Sequence, residues 1–182
     1  MSSHQKPNLI LIYTGHGKGK TTAALGLILR ALREKMSVLM IQFIKSQKDS
    51  GEANLRSILP ELRVRAFGNG LVLKKPTVSQ TFIFKKQSKQ ALAYIIKTIK
   101  SKKVNILVLD EIWVALSLKL IKNNDILDII KTFRLSGPNH YLILTGRNCP
   151  KSFYQYADLV TEMKEIKHPF KKGIGAVKGI DY

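Results

Sequence analysis

The stretch Leu9-Ile-Leu-Ile-Tyr-Thr-Gly-His-Gly-Lys-Gly-Lys-Thr-Thr22 decides the fold. Leu9 to Tyr13 is an apolar run of the length of a short buried strand. Three glycines and two lysines follow between Gly15 and Lys20, and Ala23 to Leu32 is a run of helix formers. Strand, glycine-rich turn and helix start are the context that a phosphate-binding loop requires. Glycine lets successive backbone N–H groups converge on an anion, and the helix start adds its own free N–H groups and dipole. On this reading Gly15, His16, Gly17, Lys18, Gly19, Lys20, Thr21 and Thr22 bind a nucleotide, with Lys20 reaching the outer phosphates and the Thr21 hydroxyl holding magnesium. The end of the loop, Gly19-Lys20-Thr21, fits the pattern G-x-x-x-x-G-K-[ST]. Its first position falls on Thr14, and counting from Gly15 leaves one residue too few, so the loop is a variant. The alternative is a glycine-rich turn with no ligand, but lysines crowded into a tight turn serve no packing purpose.

Outward from this stretch, apolar runs predict further strands at Ser37–Ile44, Leu62–Ala66, Val104–Leu109, Tyr141–Thr145 and Leu159–Met163. Helical patterns fall between them: a short one from Gly51 to Leu59, a long one from Thr77 to Lys100, a turn from Trp113 to Leu118, one from Ile126 to Phe133 capped by Asn124 or Asp125, and one from Cys149 to Ala157. Gly68 to Pro76 reads as loop. Strands alternating with helices imply an α/β fold, a three-layer parallel sheet of P-loop NTPase (RecA-like) architecture. No repeat or linker divides the chain, so residues 1–182 are expected to form one nucleotide-binding domain, long enough to bury roughly 70% of its surface.

The 31 Lys plus Arg against 12 Asp plus Glu give a net charge of +19, which raises nucleic acid as a partner. Lys85, Lys86, Lys89, Lys97, Lys100, Lys102 and Lys103 lie in or after a helical pattern, where a solvated face explains them. No interleaved aromatic platform accompanies them. Nucleic acid is therefore not the expected partner. The chain has no apolar run long enough to span a membrane, its N-terminus lacks the pattern of a secretory leader, and its single cysteine excludes an internal disulfide. A cytoplasmic protein without a membrane partner is expected.

Val108-Leu109-Asp110-Glu111 delivers two acids at a strand's C-terminal end, the edge where open parallel sheets bind ligands and where the glycine-rich loop also opens. With Thr21, Asp110 and Glu111 are candidate ligands for a magnesium or manganese ion bound with the nucleotide; a bare helix N-cap pair is the alternative. Thr145-Gly146-Arg147 ends another strand on the same edge, and Arg147 is a candidate phosphate clamp. Lys20 and Arg147 are thus the candidate catalytic cations. The four histidines lack metal-ligand spacing, and no Ser/His/Asp or Cys/His set is visible, so no covalent nucleophile is expected.

Several stretches together resemble the P-loop corrinoid adenosyltransferases of the CobA/BtuR/CobO type: Thr14 to Ala24, Gln42-Phe-Ile-Lys45, Gly51-Glu52 with Asn54, Leu109-Asp-Glu111, Thr145-Gly-Arg147, Lys167-His168 with Phe170, and Gly179-Ile-Asp-Tyr182. The likeness covers residues 9–66 and 104–182, and that family's loop has the same shortened spacing. The resemblance implies transfer of the 5′-deoxyadenosyl group of ATP to Co(I) of a corrinoid with release of triphosphate, ATP as co-substrate with Mg²⁺, an electron donor such as a reduced flavoprotein, and a homodimer. It also implies that Gly15 to Thr21 hold the triphosphate, that Thr21 and Glu111 bind Mg²⁺ beside Asp110, and that Arg147 lies near the substrates. The family's helical N-terminal extension has no counterpart in the eight residues before the first strand. Its corrinoid-facing Gly-Phe-x-Trp stretch aligns with Gly68-Asn69-Gly70-Leu71, which places Asn69 and Leu71 at the aromatic positions and leaves Phe67 as the nearby ring. A nucleic-acid-stimulated ATPase and a non-catalytic nucleotide-binding regulator are the alternatives.

If the positive charge is a solvated surface, DNA and RNA bind weakly and with steep salt dependence, and ATP turnover is indifferent to polynucleotide. Turnover assays with and without poly(dT) or poly(U) at about 150 mM salt check this. Stimulation that persists there would favour the nucleic-acid-dependent ATPase.

Overall fold

The computed structural model describes residues 7–46, 52, 55–68, 70, 77–177 and 179–180. Among these residues, six strands form one sheet: β1 Leu9–Thr14, β2 Val38–Gln42, β3 Leu62–Ala66, β4 Ile106–Asp110, β5 Tyr141–Thr145 and β6 Leu159–Glu162. The order is β3-β2-β4-β5-β1-β6, and every pairing is parallel. β2 and β4 are buried at every position, which is why they read as unbroken apolar runs rather than alternating patterns.

Successive residues of these strands point to opposite faces. Val38, Met40, Ile106, Val108 and Ile143 pack against α1, Lys20–Arg33, through Ala24, Ile28 and Ala31. Leu39, Ile41, Leu107, Leu109, Leu142 and Leu144 face the other way, onto α2 (Val78–Ser101), α3 (Ile112–Ser117) and α4 (Asn123–Arg134). The result is three layers. α2 starts at a capping box, where Thr77 Oγ1 accepts from the Gln80 amide and Gln80 Oε1 accepts from the Thr77 amide. Its Ala91, Ile95 and Ile99 are buried, while Lys85, Lys86, Lys89, Lys97 and Lys100 lie on its exposed side. None of these helices is long and apolar enough to cross a membrane.

Several local expectations shift. Of the short helix expected from Gly51 to Leu59, Leu55–Ser57 form a 3₁₀ turn, and Gly51, Ala53 and Asn54 lie outside the described residues. β2 stops at Gln42; Phe43 is buried but lies past the strand's end. The cap of α4 is Lys122, and Asp125 acts from inside the helix: its Oδ2 accepts the Lys122 N–H at 2.7 Å. The segment after Cys149 is a 3₁₀ turn, Lys151–Tyr156, held by bonds such as Phe153 N–H to Pro150 O. Phe153 is its only buried side chain, too little apolar surface to seat an α-helix.

Sheet register aligns the ends of the central strands. Tyr13 pairs with Thr145, Leu109 with Leu144, and Gln42 with Asp110, so Thr14, Thr145, Asp110 and Gln42 line up along one edge. Directly beyond Thr145, Gly146 has φ of 137°, and a Cβ there would stand 2.9 Å from the Trp113 Cβ. Gly146→Ala should cost about 1–3 kcal/mol from backbone strain alone, lowering Tm by roughly 2–10 °C. Thermal melts followed by circular dichroism check it; an unchanged Tm would mean that the turn is free to relax.

Candidate functional site

The glycine-rich loop leaves β1 and enters α1 with Gly15 and Gly19 at positive φ, 97° and 112°. A Cβ on Gly15 would collide with the Met163 backbone, and one on Gly17 would lie 2.8 Å from Met163 O and from the Lys164 carbonyl carbon. Only glycine lets the chain leaving β6 pass this close. Two backbone bonds fix that passage: Gly17 N–H to Met163 O at 2.7 Å and Met163 N–H to Thr14 O at 2.8 Å. Lys20 is buried, and its Nζ donates to Gly15 O at 2.8 Å and Gly17 O at 2.6 Å. Burial lowers its pKa; the charge of Glu111 opposes this, Arg147 reinforces it and Asp110 opposes it. His16, Lys18 and Thr22 are exposed, and Lys18 Nζ donates to Ile180 O at 3.0 Å.

Asp110 is completely buried. Its Oδ1 accepts from Thr21 Oγ1 at 2.9 Å and Thr145 Oγ1 at 2.7 Å, and its Oδ2 from Gln42 Nε2 at 3.2 Å. Burial raises its pKa, against the Lys45 charge and these hydrogen bonds. Glu111 differs. It sits at φ 60° as the N-cap residue of α3, its amide donates to Thr145 Oγ1 at 3.1 Å, and its buried Oε2 has no hydrogen-bond partner. Burial and the Asp110 charge raise its pKa, against Lys20, Lys45 and Arg147. Among the described residues no cluster of three His, Cys, Asp or Glu side chains could hold a metal by itself. A P-loop cation needs less, because phosphates and water fill most of its octahedron. The Thr21 hydroxyl and the unpartnered Glu111 oxygen fit that demand, and Asp110 orients Thr21.

Glu111 and Arg147 also line a cavity of about 640 Å³ whose wall includes Lys45, apolar Val114 and Leu118, and His168 and Phe170 from the C-terminal segment. Two further contributors, Glu165 and Lys171, pair at 2.8 Å. The candidate residues are thus brought together: the loop, Thr21, Asp110, Glu111 and Arg147 share one edge. Phe67 follows β3 on this edge, its amide donating to Gln42 O at 2.9 Å, but it is not among the residues lining the cavity: its ring is half-buried against Tyr94 at a 5.9 Å separation with Arg65 over its face. Asn69 and Leu71 fall outside the described residues, as do Gly51, Asn54, Asp181 and Tyr182. Cys149 is buried, its thiol pushed up to about 12, so it is no nucleophile. Residue patterns gave no role to Thr145, Gln42, Lys45 or Glu52; their only signal was membership of the short stretches shared with the corrinoid enzymes.

With β5 standing between the phosphate-loop strand and the strand that ends in acids, the fold is that of the RecA-like P-loop NTPases. In agreement, the flagellar accessory protein FlaH from Methanocaldococcus jannaschii superposes with a TM-score of 0.53 at 15% identity, covering 85% of this chain and 70% of that one, a likeness of fold alone. The family model of ATP:corrinoid adenosyltransferases BtuR/CobO/CobP matches residues 6–182. A corrinoid adenosyltransferase of Sinorhizobium is 33% identical over 183 residues, spanning 96% of this chain and 80% of the relative. The corrinoid adenosyltransferase CobA of Salmonella typhimurium is 29% identical over 184 residues, spanning 99% and 88%. The chain belongs to the ATP:corrinoid adenosyltransferase family, and its activity is adenosylation of a corrinoid with ATP as donor.

Raised carboxyl pKa values mean that the folded protein holds protons the unfolded chain has released. Stability of the nucleotide-free protein therefore rises as pH falls through the raised values towards the ordinary carboxylate range, and declines above them. Glu111→Gln should flatten this dependence. At neutral pH it should raise Tm by roughly 2–4 °C, since it removes a buried charge beside Asp110, a relief worth about 1 kcal/mol or more. It should also abolish the Mg²⁺ dependence of ATP binding. Melts between pH 5 and 8, paired with calorimetric ATP titrations, test both; a destabilised variant would assign Glu111 a structural role.

Proposed function

We propose that Gly15 to Thr22 bind the triphosphate of ATP, that Lys20 and Arg147 neutralise charge growing on it, and that the cavity receives the corrinoid. The observation that carries this is the junction of loop and cavity: loop residue Thr21 donates to Asp110 at 2.9 Å, and the next residue, Glu111, lines the cavity, which supports a nucleotide and a second substrate on either side of one pair of acids. Mg²⁺ or Mn²⁺ would be held by Thr21 and Glu111, with Asp110 behind Thr21, and would screen the leaving triphosphate. In the reaction, Co(I) supplies both electrons of the new bond to C5′, and the C5′–O pair leaves on triphosphate. The reactive electron pair comes from the substrate, so the protein's tasks are alignment and charge stabilisation. This fits Cys149, which is not among the cavity's lining residues and whose buried thiol is held protonated.

Lys20 has to release Gly15 O and Gly17 O to meet a phosphate, and gaining an anionic partner favours its charged form. Phe67 would meet a corrinoid only by leaving Tyr94, and with Asn69 and Leu71 it makes up the corrinoid-facing loop of this reading. A single domain, read from the lack of a repeat or linker, a cytoplasmic setting, read from the lone cysteine, and a homodimer and reduced flavoprotein donor, implied by the family resemblance, complete it. Whether the corrinoid is cob(I)alamin or the earlier cobyrinic acid a,c-diamide is decided by comparing the two as substrates.

Incubation with chemically reduced cob(I)alamin, ATP and Mg²⁺ should produce the absorption spectrum of adenosylcobalamin together with triphosphate. Lys20→Ala removes a charge-assisted contact worth about 1.5–3 kcal/mol and should slow the reaction roughly 10- to 150-fold. ADP and phosphate as products, or an unaffected variant, would refute this assignment.

A further inference from the structure

A chain of hydrogen bonds runs from the nucleotide loop to the cavity, and the transfer reaction described above makes no use of its far half. Gln42, buried at the end of β2, has Asp110 and Ala66 as register neighbours. Its Nε2 lies 3.2 Å from Asp110 Oδ2 and 3.2 Å from Glu52 Oε2, so one amide nitrogen, with two hydrogens to give, serves both carboxylates. Glu52 in turn receives Lys45 Nζ on both oxygens, at 2.8 and 2.9 Å. At the other end Thr21 donates to Asp110. The sequence Thr21, Asp110, Gln42, Glu52, Lys45 thus links the first turn of α1 to a cation in the cavity wall.

This is not a loose surface pair. The Lys45 and Glu52 side chains are 22% and 13% exposed. Burial alone would raise Glu52, but the Lys45 hydrogen bond and charge, with the Gln42 amide, outweigh it and hold the carboxyl below its usual range. The two Gln42 bonds sit at the long end of the N–H···O range. Both bonds leave the same nitrogen, so a movement of the Gln42 amide with Asp110 alters its geometry towards Glu52, the acid that holds Lys45.

We propose that Gln42 and Glu52 are positioning residues that couple the two substrate sites: ordering of Thr21 and Asp110 by nucleotide sets Lys45 for the corrinoid, and ATP and corrinoid bind with positive coupling through Gln42. The inference rests on the assignment of the cavity to the corrinoid. Coupling of binding free energies is reciprocal, so it can be read from either ligand.

The experiment titrates cob(II)alamin into the protein with and without saturating Mg-ATP. Without reductant the cobalt lacks the electron pair for transfer, and no turnover intervenes. For the wild type, ATP should tighten cob(II)alamin binding by at least about 5-fold. Gln42→Met keeps the length and removes the donor; it should bring this ratio to roughly one, with each ligand's affinity measured alone nearly unchanged. Glu52→Gln should lower the ratio as well, and it carries the test if Gln42→Met does not fold. A merely structural contribution would weaken both ligands and leave the ratio intact. A wild-type ratio of one, or a ratio that survives in the folded variants, overturns the coupling while cob(II)alamin binding upholds the cavity assignment. Absence of cob(II)alamin binding to the wild type in either condition removes that assignment and the coupling together.

Discussion

The buried Asp110 carboxylate sets the terms for the whole C-terminal edge of the sheet. A carboxylate out of water costs several kcal/mol unless hydrogen-bond donors replace its hydration. Here the donors come from three separate elements: Thr21 from α1, Thr145 from β5 and Gln42 from β2. Each donor therefore fixes its own element relative to β4. A one-residue slip of β4 in one direction would turn Leu109 towards hydroxyls placed for an acid. Apolar packing on both sheet faces supplies the bulk of the burial, and this cluster specifies the register in which that burial occurs.

Because both oxygens of Asp110 are already engaged by donors, the adjacent acid is free for other work. Glu111 leaves the strand in a left-handed conformation, which costs a non-glycine residue roughly 1–2 kcal/mol. Its amide is satisfied by Thr145 and its carbonyl by the Ala115 N–H, while the next two residues, Ile112 and Trp113, are fully buried. That packing holds the strained residue and leaves Glu111 Oε2 without a partner. Two consecutive acids of one sequence motif thus acquire different characters, one locked by donors and one presented to the cavity.

The layering was legible in the sequence because fully buried parallel strands are apolar runs, and the loop was legible because its glycines and lysines have no packing use. Strand ends were less so: Phe43 and Ile44 look like a continuation of β2, yet they contribute to the core beyond the end of the strand. Strand order was not legible at all, and it hides most of the site. Thr145 lies 35 residues from Asp110 and touches it only because β5 inserts between β1 and β4. Gln42 and Lys45 read as the tail of an apolar segment until β2 is seen beside β4. The cap of α4 was misread because an aspartate one turn inside a helix can satisfy the cap amide as well as a residue at the boundary.

The glycines of the loop meet a second demand beyond curvature. β6 is exposed at all four positions, so little side-chain burial fastens it to the edge of the sheet. Its pairing with β1 and the clasp formed by Gly17 N–H to Met163 O and Met163 N–H to Thr14 O hold it instead. Backbone can approach backbone this closely only where Cβ atoms are missing, at Gly15 and Gly17. The Gly17 amide is thereby spent on the C-terminal segment, and that segment supplies Glu165, His168, Phe170 and Lys171 to the cavity. On the proposed assignment of Gly15 to Thr22 to the triphosphate, the other amides of the loop and of the first turn of α1 have to serve the phosphates in place of that of Gly17. On that assignment, the loop that grips one substrate also anchors the wall that faces the other.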